Sequence, residues 1–288
     1  MMLHHDSDPA MFRDLCREVA GVLAPSGIVN AEREAELLIA AVSGRSLGDL
    51  QLDQLLGRSI AADDCRRIRL ATARRARREP LQHITGTAPF MDFELAVGPG
   101  VFVPRPETEL LVAFATGELA DATGTVIDIG AGSGTVAIGI ARACPNVEVV
   151  ALEASPLAWP WLRRNVRELA PNVDTRFGDW VQQVPEGPLA AICSNPPYVP
   201  STAIPQDPEV RCFDPEMALY SGADGLDEIR RIAAVAAAQL RSDGFVVVEH
   251  TEDQGEAIRA CFSGAGLKRA TTISDLTDRP RLTVAWQG

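Results

Sequence analysis

The stretch between residues 125 and 153 constrains this chain more than any other. An apolar run at 125–129 passes into Gly130-Ala131-Gly132-Ser133-Gly134, which opens a helical pattern at 135–144. A second apolar run at 147–152 follows and ends on Glu153. Apolar strands without polar alternation must be covered on both faces, and a strand–helix–strand unit does this with parallel strands. The glycines permit a tight turn and close backbone approach to a ligand at the helix start. An acid about twenty residues after such a loop stands where ribose hydroxyls are bound in nucleotide folds. Asp128, Gly130, Ala131, Gly132, Ser133, Gly134 and Glu153 are therefore candidate binding residues for a nucleoside-containing cofactor. The spacing is GxGxG, not GxGxxG; a dinucleotide is the nearest rival ligand, and a structural βα turn is the bland alternative.

The alternation continues downstream. Helical patterns at 158–169, 227–240 and 253–263 interleave with expected strands at 175–177, 189–193, 245–249, 267–274 and 282–286. This predicts a Rossmann-like α/β fold, a mostly parallel sheet with helices on both faces. Upstream, residues 11–23, 31–42 and 63–78 place apolar residues at three- and four-residue spacing, with breaks at Pro25-Ser26-Gly27 and Gly44; these read as amphipathic helices. Residues 82–103 mix β-like runs (90–97 and 101–103) with Gly86, Gly98 and Gly100, a hairpin or bridge, and Pro106-Glu107 reads as a helix start. The expected organisation is a helical N-terminal domain at 1–79, a β-hairpin linker at 80–105 and an α/β domain at 106–288.

Composition narrows the chemistry. The 27 basic and 39 acidic residues give a formal charge of −12, opposite to the balance of a protein that neutralises many phosphates. Lys268 is the sole lysine, so a Walker A loop or Schiff-base chemistry is poorly supplied. Cys16, Cys65, Cys144, Cys193, Cys212 and Cys261 form no CxxC, and His4, His5, His83 and His250 form no HExxH. Reduced thiols and no metal site are expected. Ser133 does not fit a nucleophile elbow. No apolar run approaches the ~20 residues of a membrane span, and the first residues lack a leader pattern; a cytoplasmic protein is expected. Arg66, Arg67, Arg69, Arg74, Arg75, Arg77 and Arg78 form one basic run, either a docking face or a solvated face balanced by acids.

After the apolar run at 189–193 comes Asn195-Pro196-Pro197-Tyr198. Ligands of open α/β sheets lie beyond the carboxyl ends of strands, so these residues fall where chemistry is expected. Both prolines lack an N–H and have fixed φ, leaving a stiff segment that presents acceptors. The Asn195 side-chain oxygen and a neighbouring acceptor hold both hydrogens of a planar NH2 group, and Tyr198 offers it a flat face. Such a site suits methylation of an amide or aromatic amine, whose nitrogen lone pair is delocalised. Fixing both N–H bonds favours rehybridisation during attack, so orientation and electrostatics replace a strong base. Asn195, Pro196 and Tyr198 are the expected catalytic residues, and Asn195, Pro196, Pro197 and Tyr198 the substrate contacts. The segment from Tyr198 to Tyr220, stiffened by Pro200, Pro205, Pro208 and Pro215, reads as either a substrate lid or a surface loop.

Together these segments resemble the protein-(glutamine-N5) methyltransferases that modify peptide chain release factors. The resemblance runs from about Pro80 to the C-terminus. It rests on Pro80-Leu81-Gln82-His83-Ile84 and Phe102-Val103-Pro104-Arg105-Pro106-Glu107-Thr108-Glu109, the DIGAGSG loop, Gly178-Asp179-Trp180, and Ser194 with the NPPY tetrapeptide. Asp214-Pro215-Glu216-Met217-Ala218-Leu219 with Gly222 to Asp227 completes it. NPPY alone is shared with adenine-N6 methyltransferases; the PRPETE and ALYSGADGLD stretches are more specific. The resemblance implies a class I methyltransferase fold with S-adenosyl-L-methionine as cofactor. Gly130 to Gly134 would surround its methionine and ribose, Glu153 would bind the ribose, and Asp179 and Trp180 would lie near the adenine, with Asn195 also at the cofactor. The implied substrate is the glutamine of the release factor GGQ motif, its amide held by Asn195 to Tyr198. The helical domain would recruit the release factor; a monomer is expected, with no stable nucleic-acid partner and no membrane. Arg105 and Glu107 are candidates for ordering the site. The rivals are a glutamine of a ribosomal protein, an adenine of nucleic acid, and a non-catalytic cofactor-binding module. The chain departs from the family's pattern at Glu153, where Asp is usual, at Glu249-His250-Thr251, where Glu-x-Gly is usual, and at Met91-Asp92, where a glycine-containing turn is common.

Overall fold

The computed structural model describes residues 8–288; His4 and His5 lie outside them. Two compact units emerge, one comprising the chain up to Thr87 together with Gln206–Phe213, the other Ala88–Pro205 with Asp214–Gly288. In the first, helices α1 (Phe12–Leu23), α2 (Ala31–Ser43), α3 (Leu47–Leu55), α4 (Ala62–Ala76) and α5 (Leu81–Thr85) bury a shared core. Leu15, Val19 and Leu23 of α1 pack with Leu38 and Ile39 of α2, Leu50 of α3 and Ile68 of α4. Helix α3 has no clear periodic signal because Leu50 is its one buried residue. Its start is nonetheless marked: the Ser46 Oγ accepts from the Asp49 N–H at 3.0 Å, an N-cap.

The second unit begins with a hairpin, β1 (Thr87–Phe90) and β2 (Phe93–Ala96). Met91 turns it with φ of 48°, the left-handed conformation that a glycine adopts without cost. Residues 101–103 form no strand; Pro104 and Pro106 deny the neighbouring chain two ladder donors. Helix α6 (Thr108–Glu118) starts just after Pro106-Glu107 rather than on it.

The main sheet contains β3 (Gly124–Ile129), β4 (Val147–Glu153), β5 (Asp174–Phe177), β6 (Leu189–Ser194), β7 (Leu240–Glu249), β8 (Lys268–Ser274) and β9 (Pro280–Trp286), in the order β5-β4-β3-β6-β7-β9-β8. Strands β3 to β7 pair in parallel, and β9 runs antiparallel to both β7 and β8. Alternate residues serve opposite layers. Val126, Val149, Ala191 and Val247 pack on one side with α6, α7 (Thr135–Ala143) and α8 (Trp159–Leu169). Ile127, Val150, Ile192 and Val246 pack on the other, against residues of α9 (Trp180–Gln183), α12 (Asp227–Gln239) and α13 (Gly255–Gly264). Between β6 and α12 lie two short helices, α10 (Pro208–Phe213) and α11 (Glu216–Leu219).

Helix α10 belongs with the helical unit, and the arginine run explains why. Arg66 and Arg67 pair with Asp63 and Asp64, Arg69 with Glu18, and Arg74 with Glu79. Arg75 is buried between Glu34 at 2.6 Å and Glu209 at 2.8 Å, and Arg78 reaches Glu209 at 2.5 Å. The run is thus largely neutralised within its own unit, and it anchors α10 there. Glu209→Ala leaves Arg75 with Glu34 and the Glu79 carbonyl and is expected to destabilise by about 2 kcal/mol, read as a lower urea midpoint at unchanged slope.

From β3 the chain moves outward to β4 and β5, then returns to β6 on the other side of β3. The connections from β3 and β6 therefore part, which is the position where doubly wound sheets bind ligands. Ser194 lies opposite Ile129 in register, and its Oγ donates to the Ile129 carbonyl at 2.6 Å. The glycine loop and the NPPY segment start side by side.

Candidate active site

At this switch point is a cavity of about 580 Å³, in the range of small-molecule and cofactor sites. Asp128, Gly130, Ala131, Gly132, Ser133, Glu153, Asp179, Trp180, Asn195, Pro196, Pro197 and Tyr198 all line it. Gly134 does not. It caps α7 with φ of 93°, and a Cβ there would stand 2.9 Å from Ile138 Cδ1 and 3.0 Å from Leu162 Cδ1. The packing of the turn thus leaves no room for a side chain there.

The loop's hydrogen bonds reveal what kind of ligand it suits. The N–H groups of Gly130 and Ala131 donate to the Leu152 carbonyl at 2.9 and 3.0 Å, and that of Gly134 to the Ala131 carbonyl at 2.7 Å. The Gly132 N–H donates to Glu153 Oε2 at 2.7 Å. A pyrophosphate site keeps such donors aimed at the ligand; here they are spent on the protein, which disfavours a dinucleotide. Glu153 Oε1 also accepts from Ser155 N–H at 2.6 Å, and burial raises its carboxyl above the usual range despite these donors. Each oxygen keeps acceptor capacity beyond its backbone bond. Asp128 is buried and accepts from the Ala137 N–H at 3.0 Å; burial pushes it up to about 7.

Asn165, which carries no sequence motif, supports the loop from behind. Its Nδ2 donates to the carbonyls of Ser133 at 2.8 Å and Ala96 at 2.9 Å, while its Oδ1 accepts from the Ala96 N–H at 2.8 Å. One side chain thus joins the hairpin to the glycine loop. Asn165→Ala strands buried polar groups on both and is expected to cost about 2–3 kcal/mol, measured by urea unfolding.

Trp180 is both core aromatic and cavity wall. It is buried in the second layer, its Nε1–H donates to Glu228 at 2.9 Å, and the Arg231 guanidinium sits 4.9 Å from its ring centre. Asp179 caps α9 and holds Arg231 at 2.8 Å.

Asn195 is half-buried and donates from Nδ2 to Thr108 Oγ1 at 3.3 Å; Thr108 donates to Glu249 Oε2 at 2.7 Å. The Tyr198 phenol is pushed up by burial, and its carbonyl accepts from Gln254 Nε2 at 2.9 Å. A Cβ on Gly225, whose φ is 78°, would overlap that same carbonyl. The Val199 N–H donates to the Leu219 carbonyl and the Ser221 N–H to the Val199 carbonyl, at 2.8 and 3.0 Å. The stretch from Leu219 to Gly225 therefore braces NPPY. The segment after Tyr198 is no free loop: its middle belongs to the helical unit, and Pro215, Met217 and Tyr220 form cavity wall. Phe102, Pro104, Thr108, Glu228 and Arg231 also line the cavity and were not among the expected site residues, although Phe102, Pro104 and Thr108 lie in the 102–109 segment that carries the resemblance.

The strand order, the antiparallel β9 and the cavity at the switch point define a class I methyltransferase. A methyltransferase from Pyrococcus furiosus shares this fold with a TM-score of 0.53 at 18% identity, over 75% of this chain and 99% of that one. Residues 96–208 match the Methyltransferase small domain and residues 14–86 the PrmC N-terminal domain. A Release factor glutamine methyltransferase of Bifidobacterium longum is 36% identical over 96% of this chain and 99% of its own length. One from Streptomyces coelicolor is 41% identical over 91% and 93%. The chain belongs to the release factor glutamine methyltransferases.

Proposed function

We propose that this protein transfers a methyl group from S-adenosyl-L-methionine to the side-chain amide nitrogen of the glutamine in the GGQ motif of peptide chain release factors. The observation that carries this reading is that the glycine loop with Glu153 and the NPPY segment line one cavity, in a chain of this family. The cofactor fits the residues present: Glu153 retains acceptor capacity for ribose hydroxyls, Gly130 to Ser133 offer a wall without projecting side chains longer than serine, and Asp179 and Trp180 border the place for a base. When bound, S-adenosyl-L-methionine supplies an electrophilic methyl group on a sulfonium.

The remaining work falls to the chain's own residues. Among the described residues, Asn195 Oδ1 receives no hydrogen bond, so it is available to accept from the substrate amide. Pro196 and Pro197 add stiffness and no competing donor, and Tyr198 supplies a flat surface for the amide plane. Holding both N–H bonds lets the nitrogen lone pair rehybridise toward the methyl carbon, a gain of orientation rather than basicity. Residues 1–79 are assigned to substrate recruitment, 80–105 to a linker and 106–288, apart from Gln206–Phe213, which pack with the helical unit, to catalysis, in a cytoplasmic monomer without a stable nucleic-acid partner. Among the described residues no helix is long and apolar enough to cross a membrane. The test is transfer from labelled cofactor to intact release factor, ribosomal proteins and DNA in parallel. Label in the release factor is expected; label in DNA alone would overturn the reading.

A further inference from the structure

Behind NPPY stands a hydrogen-bonded chain whose direction matters. Asn195 Nδ2 donates to Thr108 Oγ1 at 3.3 Å, and Thr108 donates to Glu249 Oε2 at 2.7 Å. Thr108 is 3% and Glu249 4% exposed, so bulk water does not substitute for either partner. We infer that Thr108 and Glu249 are positioning residues that set which end of the Asn195 amide faces the substrate; the inference rests on the amide-methylation reading above.

The Thr108 hydroxyl has one proton to give. While Glu249 is ionised it takes that proton's hydrogen bond, so Thr108 has only acceptor capacity left for Asn195. The asparagine must then turn Nδ2 inward and Oδ1 toward the cavity, as an N–H-holding site requires. A protonated Glu249 donates to Thr108 instead, and Thr108 turns its own proton toward Asn195. The amide then reverses and presents N–H groups to the N–H groups of the substrate.

The surroundings put this switch within reach of ordinary pH. Burial pushes Glu249 up to about 7, and the Glu107 carboxylate adds to that, against Arg281 of β9 and Arg105 before α6. The Tyr198 phenol also feels Glu249. Arg105 is tied to Asp214 at 3.1 Å and Arg281 to Asp275 at 3.1 Å. His250, next on the strand, turns its ring to the Thr251 carbonyl and Thr283.

The experiment is the pH profile of kcat with intact release factor and saturating cofactor for the wild type, Thr108→Val, Thr108→Ser and Glu249→Gln. The wild-type kcat should rise with pH through about 7 to a plateau, as Glu249 ionises. Glu249→Gln, which cannot titrate, should give a flat profile. Thr108→Val should lower plateau kcat at least ~10-fold with little change in cofactor affinity, and Thr108→Ser should restore it to within ~3-fold. A Glu249→Gln enzyme that keeps the wild-type step, or a Thr108→Val enzyme with wild-type kcat, overturns the inference while leaving the methylation reading intact. A wild type that does not label the release factor overturns that reading itself.

Discussion

Asn195→Ala is expected to lower kcat on release factor by about 10²–10³-fold, the loss typical when one preorganised hydrogen-bonding group at a reacting centre is removed. The side chain is half-buried, and its hydrogen bond inside the protein goes to Thr108; Thr108 retains its bond to Glu249. The fold should therefore survive, with a melting temperature close to wild type. The KM for cofactor should change less than kcat, because the glycine loop and its bond to Glu153 remain in place. A loss confined to kcat is the signature of an interaction strengthened in the transition state. A variant with wild-type kcat would remove Asn195 from the mechanism.

Glu153→Ala is expected to act on the opposite ligand. The carboxylate holds the Gly132 and Ser155 N–H groups at 2.7 and 2.6 Å, so its removal unpins the glycine loop and takes away the oxygens proposed to accept from the ribose. Hydrogen bonds to a charged group contribute about 1.5–3 kcal/mol each, and a loss of about 3–4 kcal/mol weakens cofactor binding roughly 10²–10³-fold. Calorimetric titration reads this directly, and kcat at saturating cofactor should recover much of the wild-type value. Glu153→Asp keeps the carboxylate on a stem one methylene shorter; it should bind the cofactor better than the alanine variant. Unchanged affinity in Glu153→Ala would mean that the carboxylate serves the loop's architecture alone.

The sequence made the alternation from residue 125 onward legible because the central strands are mostly apolar on both faces, with Asp128 and Glu148 among the exceptions in β3 and β4. Twelve of the expected site residues line the cavity because loops at the carboxyl ends of adjacent strands must converge there. What stayed hidden depends on contacts distant in sequence. Asn165 reaches the hairpin 69 residues away, and Thr108 meets Glu249 across 141 residues; neither pairing leaves a local pattern. Gly134 shows the converse. Its spacing within the loop suggests a ligand contact, yet the constraint on it comes from Ile138 and Leu162. Helix α3, with Leu50 as its one buried residue, lacks the stripe on which periodicity depends. The arginine run read either as a docking face or as a face balanced by acids, and some of its acidic partners, Glu18, Glu34 and Glu209, lie far along the chain.

The central claim is tested most directly by locating the methyl group. Release factor incubated with this enzyme and S-adenosyl-L-methionine would be digested and the fragments sequenced by tandem mass spectrometry, beside a release factor whose GGQ glutamine is replaced by glutamate. The account predicts a single added methyl on the side-chain nitrogen of that glutamine and none in the substituted protein. Methylation at any other residue, or equal methylation of the substituted protein, would contradict it.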